Sequence, residues 1–330
     1  MASADQLLND LPHEERIRSR KLAGGVATII ADASGLSESE SKAMEGELRA
    51  AALAMPDVNE ARVALTASQP HRRLIAVGSG KGGVGKSTVA ANLAIALARA
   101  GNKVGLIDAD VYGPNVPVML GVREQPYQRD GKILPLTAHG LKVMSMGFLV
   151  DPETPVIWRG PMLHGVMQNF TRDVDWGTLD YLVIDMPPGT GDVQLSLAQQ
   201  VPLAGAVIVA TPQQVALDDA QKAIAMFQKL DVPVLGMVEN MSYFTCPSCD
   251  ARHEIFSSGG ARAKAEALGL PFLGAIPIHP SVRQAGDAGT PVLVSDPASP
   301  EAEAFRAVAR QLAARLSIQA EGGAFALAGS

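Results

Sequence analysis

The segment Gly80–Ser87, GKGGVGKS, constrains this chain more than any other. It matches G-x-x-x-x-G-K-[ST], follows the apolar run LIAVGS and opens an amphipathic stretch at Ser87–Ala100. A strand, a glycine-rich loop and a helix start in that order make an anion cradle. The glycines let successive backbone N–H groups turn inward, and the helix N-terminus adds its partial positive charge. Lys86 is expected to reach the β- and γ-phosphates of a nucleotide, with the Ser87 hydroxyl on Mg²⁺.

The surrounding sequence supplies the sheet such a loop needs. LIAVGS, KVGLID, LKVMSM, YLVID, GAVIVA, VPVLGMVE and FLGAI are short, β-branched-rich runs with no polar face. Strands covered by helices on both sides read this way, so a doubly wound, mostly parallel α/β sheet is expected. Helices are expected at Ser87–Ala100, Val193–Val201, Val215–Leu230, Ala261–Leu268 and Pro300–Leu316, with Gly269 just past the fourth, where helices commonly end. We place this domain at residues 71–318 and read 319–330 as a flexible tail. Residues 1–70 differ: strand Gly25–Ala31, helix Ser41–Met55 and strand Ala61–Leu65 form a small α+β appendage.

Lys81 stands inside the loop although one lysine suffices to neutralise phosphate. KGGVGKS, Lys81–Ser87, resembles the deviant Walker A subclass of P-loop ATPases. That resemblance implies an ATP-sandwich homodimer in which Lys81 crosses to the partner's nucleotide, as an arginine finger does in trans. Two acidic stations follow at strand ends, where open α/β sheets bind ligands. In LVIDMPPGTGD, Asp185 is the candidate Mg²⁺ carboxylate, and Pro187, Pro188, Gly189 and Gly191 suit a switch segment. In IDADVYGPN, Asp110 is the candidate for orienting or deprotonating the attacking water, with Asp108 supporting it. Asp192 is expected to cap the helix that follows. Asn240, after VPVLGMVE, matches the position where relatives contact adenine.

Both cysteines lie in CPSC, as Cys246 and Cys249, in a turn marked by Pro247, Ser248 and Asp250. C-x-x-C serves zinc, iron–sulfur and dithiol chemistry. A closed four-thiolate site needs twice what one chain owns, and a symmetric dimer provides it, so one 4Fe–4S cluster bridging two chains is expected. His253 leaves a Cys₂His zinc site as an alternative, and a thioredoxin-like pair or inert thiols as others.

Composition bounds the remaining classes. Net charge is −6, which gives no support for a nucleic-acid-coating surface. At 47% hydrophobic and 19% charged, the chain can bury a core, and two cysteines exclude a disulfide-stapled scaffold. No apolar run reaches the ~20 residues of a membrane span, and the start shows no signal-peptide pattern. A cytoplasmic protein without membrane or nucleic-acid partners is therefore expected.

KGGVGKS, DADVYGPN, DMPPGTGD, VENMSYF–CPSC and GAIPIHPSVR, in that order across about Arg73 to Val294, resemble the Mrp/ApbC family of iron–sulfur cluster carrier ATPases. The resemblance implies slow ATP hydrolysis, a labile 4Fe–4S cluster on Cys246 and Cys249, and exchange with scaffold and apo-protein partners. It places Gly80, Lys81, Gly82, Gly83, Val84, Gly85, Lys86, Ser87 and Thr88 on phosphates and Mg²⁺, Asp110 on the water and Asp185 on the metal. Residues 1–70 resemble a shortened iron–sulfur assembly domain, but no cysteine precedes Cys246, so partner recruitment is the role expected there. Two other readings remain: a ParA/MinD-like positioning ATPase, which needs a basic surface or basic C-terminal helix, and a zinc-stabilised, nucleotide-dependent module.

Overall fold

The computed structural model describes residues 11–33, 38–66, 73–149, 160–249 and 251–327. It separates into two compact units, Met1–Arg72 and Arg73–Ser330.

In the first unit, β1 (Ile17–Ala23) pairs antiparallel with β2 (Val26–Asp32). After α1 (Glu38–Leu53), β3 (Glu60–Thr66) joins β2 in parallel. Ala27, Ile29 and Ala31 alternate along β2 and are buried with Met44, Leu48 and Ala52 of α1. Strand β1 has no counterpart among the expected elements. Its sequence, IRSRKLA, is charged, and as an edge strand it turns only Ile17 and Leu22 toward that core.

The second unit begins with β4 (Arg73–Gly78), α2 (Lys86–Arg99), β5 (Val104–Asp108) and the short α3 (Val116–Met119). Strands β6 (Tyr127–Arg129), β7 (Lys132–Leu134), β8 (Leu136–Ala138) and β9 (Leu141–Ser145) lead to α4 (Gly160–Gln168) and β10 (Tyr181–Asp185). Then come α5 (Asp192–Gln200), β11 (Gly205–Ala210), α6 (Gln214–Lys229), β12 (Val234–Glu239), β13 (Phe244–Thr245) and β14 (Arg252–His253). The chain closes with α7 (Gly260–Ala267), β15 (Phe272–Ala275), α8 (Pro280–Asp287), α9 (Val292–Ser295) and α10 (Pro300–Leu327). The main sheet has the order β15-β12-β11-β4-β10-β5-β9-β8, parallel throughout except for β8. All seven apolar runs are its parallel strands.

Alternation within those strands explains their apolar character. Ile75, Val77, Val183 and Leu106 face a core with α2 and α10, including Val89, Ile95, Phe305 and Leu312. Leu74, Ala76, Leu182 and Ile107 face the opposite core with α5, α6 and α7, including Leu197, Phe227 and Ala265. Both faces of one strand are thus covered, and a polar residue has nowhere to point.

Two expectations change. Asp192 is the first residue of α5, whose cap is Gly191 in extended conformation, and no side-chain cap bond forms there. The Asp192 carboxylate therefore acts on the helix only through its charge in the first turn. Helix α10 continues beyond Leu316 through the segment read as a tail, to Leu327. Ala, Gln and Glu there favour helix, and extending an existing helix is far easier than starting one.

Candidate functional site

The carboxyl ends of β4, β5, β10 and β12 converge where the strand order reverses around β4. Parallel register sets Asp185 opposite both Val77 and Asp108, and Asp108 opposite Ser145. Two acids thus sit side by side under the glycine-rich loop.

That loop is shaped by close approach. A Cβ on Gly80 would lie 2.0 Å from the backbone carbonyl carbon of Asp219 in α6, which only glycine permits. Gly85 has φ of 78°, and its Cβ would lie 2.2 Å from Asn240 Nδ2. Lys81, Gly82, Gly83, Gly85, Lys86, Ser87, Thr88 and Asp110 line one cavity of about 190 Å³ with Ser79, Asn115, Met119 and Pro188. Gly80 and Val84 do not line it: Gly80 packs on α6, and Val84 is buried.

Beneath the cavity, Lys86 Nζ donates to Asp185 Oδ1 at 2.6 Å and lies 3.3 Å from Ser87 Oγ. Burial pushes the Asp185 carboxyl upward, and the Lys86 charge opposes that shift. Asp185 Oδ2 is buried without a hydrogen-bond partner among the described residues. An unpartnered carboxylate oxygen beside a serine hydroxyl fits a hard divalent cation such as Mg²⁺, which takes oxygen ligands.

Asp108 and Asp110 divide differently. Asp108 is fully buried and braces its loop: Oδ1 accepts from Asp110 N at 3.2 Å, and Oδ2 from Val116 N and Ser145 Oγ, each at 3.1 Å. Burial, then the neighbouring Asp185 charge, pushes its carboxyl up to about 8, so it tends to hold a proton at neutral pH. Asp110 turns into the cavity, its Oδ1 accepting from the backbone of Tyr112 and Gly113.

A second cleft of about 770 Å³ shares Gly85, Thr88, Asn115 and Met119 with the first. Asn240 lines it along with Phe244, Ile278 and His279. Apart from Asn240, sequence reasoning missed this wall: α3 and α8 are too short to show a periodic pattern. Asn240 Nδ2 is committed to the Val84 carbonyl at 2.8 Å, so at least part of that side chain supports the phosphate loop.

The cysteines sit at neither cleft. Strands β13 and β14 form a small hairpin, and Cys246 N donates to Ala251 O at 2.9 Å, so CPSC occupies its turn. Asp250 lies outside the described residues. Cys249 is exposed and Cys246 partly so. Bonds from the Ser248 backbone N–H and from the Cys249 thiol hold the Cys246 thiol below its ordinary range, favouring the metal-binding thiolate. Among the described residues no group of three or more His, Cys, Asp and Glu side chains gathers as a metal site. His253 is instead cross-strand from Phe244. Phe244 stacks on His279, centroids 6.3 Å apart, tying the hairpin base to the second cleft.

No described helix is long and apolar enough to cross a membrane. Known proteins share this sequence over most of its length. An iron–sulfur cluster carrier protein from Synechocystis sp. is 50% identical over 285 residues, 81% of either chain. A protein of the same name from Deinococcus radiodurans is 46% identical over 95% of this chain and 92% of its own. A nucleotide-binding protein from Archaeoglobus fulgidus, solved in complex with ADP, superposes with a TM-score of 0.60 at 42% identity, over 66% of this chain and 86% of that one. The family model described as NUBPL iron-transfer P-loop NTPase matches residues 71–313. With the phosphate loop, its buried acids and the exposed cysteine turn in one unit, the chain belongs to the NUBPL iron-transfer P-loop NTPase family.

Proposed function

We propose that this protein hydrolyses ATP and carries a labile 4Fe–4S cluster as cargo between a scaffold and apo-protein acceptors, working as a homodimer. The observation that carries this reading is the exposed pair of thiols, only two per chain, on a hairpin whose base lines a cleft continuous with the phosphate loop. Two thiols cannot close a four-thiolate cage, whereas two chains around a two-fold axis can. A cage at the surface can be loaded and emptied by contact with another protein. Iron–sulfur carriage in the relatives and bound ADP in the Archaeoglobus fulgidus protein support the same reading.

Hydrolysis follows from the loop. Backbone N–H groups of Gly82 to Ser87 hold the phosphates, and Lys86 leaves Asp185 to reach them. Mg²⁺ held by Ser87 and Asp185 would supply charge neutralisation on the β- and γ-oxygens. Asp110 orients water and takes its proton as the water oxygen bonds to the γ-phosphorus and the β–γ bridging bond breaks. Lys81 reaches the partner's nucleotide, and adenine occupies the second cleft beside Asn240.

After anaerobic reconstitution, the protein is expected to hold about four irons and four sulfides per two chains. Cys246→Ala and Cys249→Ala should each lose them while keeping nucleotide affinity. Stoichiometric zinc in place of iron, or iron retained in both variants, would overturn the assignment.

A further inference from the structure

The carboxyl end of β12 carries two consecutive buried side chains that hold two different loops. Glu239 is fully buried: Oε1 accepts from Ser242 Oγ at 2.5 Å and Gly259 N at 2.9 Å, and Oε2 from Ala261 N at 2.7 Å. Ser242 precedes the cysteine hairpin, and Gly259 and Ala261 follow it. One carboxylate therefore closes the neck of the whole excursion that presents Cys246 and Cys249.

Asn240, the next residue, reaches the other way, to the Val84 carbonyl inside the phosphate loop. A side chain at Gly85 would collide with that amide, its Cβ falling 2.2 Å from Asn240 Nδ2. Backbone bonds link the pair to the neighbouring strand ends: Asn240 N to Ala210 O, Ile276 N to Glu239 O, and Ser242 N to Ile276 O, each 2.8 or 2.9 Å. Met241, between the joint and Ser242, has φ of 55°, a left-handed conformation a methionine adopts only when its surroundings impose it.

We propose that Glu239 and Asn240 form a joint that transmits the state of the phosphate loop to the cysteine hairpin. Anion binding turns the loop's N–H groups inward and reorients the peptide that presents the Val84 carbonyl. Breaking the buried Asn240 bond would leave an unpaired polar group, so Asn240 follows the loop. Its backbone carries Glu239, and Glu239 carries both ends of the hairpin neck. Glu239 is a positioning residue, acting on the thiols through Ser242 and Gly259. The inference rests on the carrier reading for its purpose, since nucleotide would thereby regulate how the cluster ligands are presented.

The test uses the full chain without a cluster and reads alkylation of Cys246 and Cys249 by iodoacetamide, with and without a non-hydrolysable Mg-ATP analogue. In the wild type, nucleotide is expected to change the alkylation rate by about fivefold or more, the usual scale of site-to-site coupling. Glu239→Gln, which puts an amide donor against backbone N–H groups, should bring that ratio close to unity with nucleotide affinity retained. Ser242→Ala, which removes one bond of the clamp, should lower the ratio as well and serves if Glu239→Gln does not fold. A merely structural role would lower the melting temperature and leave the ratio unchanged. An unaltered ratio in folded variants, or no nucleotide effect in the wild type, would overturn the joint. Iron counting on the wild type tests the cluster itself separately.

Discussion

Lys86→Ala is expected to remove nucleotide binding. Among the described residues Lys86 is the one buried cation, and it lines the phosphate cavity while donating to Asp185. Two charge-assisted hydrogen bonds to phosphate oxygens, at about 1.5–3 kcal/mol each, correspond to roughly 10²- to 10⁴-fold in affinity. The variant has a second consequence. Asp185 is left fully buried without its partner, and burial already pushes its carboxyl upward, so it takes up a proton. A protonated carboxyl is a poor ligand for Mg²⁺, which compounds the loss. Calorimetric titration with Mg-ATP checks this, and an affinity change below about tenfold would contradict it.

Lys81→Ala is expected to behave in the opposite manner. Lys81 is partly exposed at the mouth of the same cavity and makes no ion pair among the described residues. Removing an exposed charge from its own site changes binding by about fivefold at most. If the side chain reaches across to a partner's nucleotide, its loss removes a transition-state contact of the arginine-finger type, worth about 10³-fold or more in turnover. Single-turnover hydrolysis beside equilibrium binding separates the two effects. Equal loss of affinity in Lys81→Ala and Lys86→Ala would show that Lys81 serves only its own chain's phosphate site.

Much of this architecture could be read from the chain because of where its polar residues fall. A strand covered on both faces has no tolerance for charge until its end, so Asp108 and Asp185 announce both the end of a strand and a site. Glu239 ends VLGMVE in the same manner, yet its role was hidden. Its partners Gly259 and Ala261 lie some twenty residues further on, and no local pattern links them. Strand β8 spans three residues, helices α3 and α9 four each and α8 eight, too few for periodicity to speak. In the phosphate loop the glycines answer different demands: Gly80 a close approach to Asp219, Gly85 one to Asn240, and Gly83 a φ of 81° with open space around it. Asn240 was legible as a site residue only in part: its amide supports the loop through Val84, a contact spanning most of the unit. The cysteine turn was visible as a turn, but the hairpin beneath it and the Phe244–His279 stack depend on tertiary placement.

In the proposed carrier, four thiols from two chains enclose one cluster. Native mass spectrometry of the anaerobically reconstituted protein measures subunit count and bound mass in one spectrum. A dimer carrying a single 4Fe–4S cluster is expected, dissociating to bare monomers in Cys249→Ala. A monomer under every combination of nucleotide, iron and sulfide would contradict it.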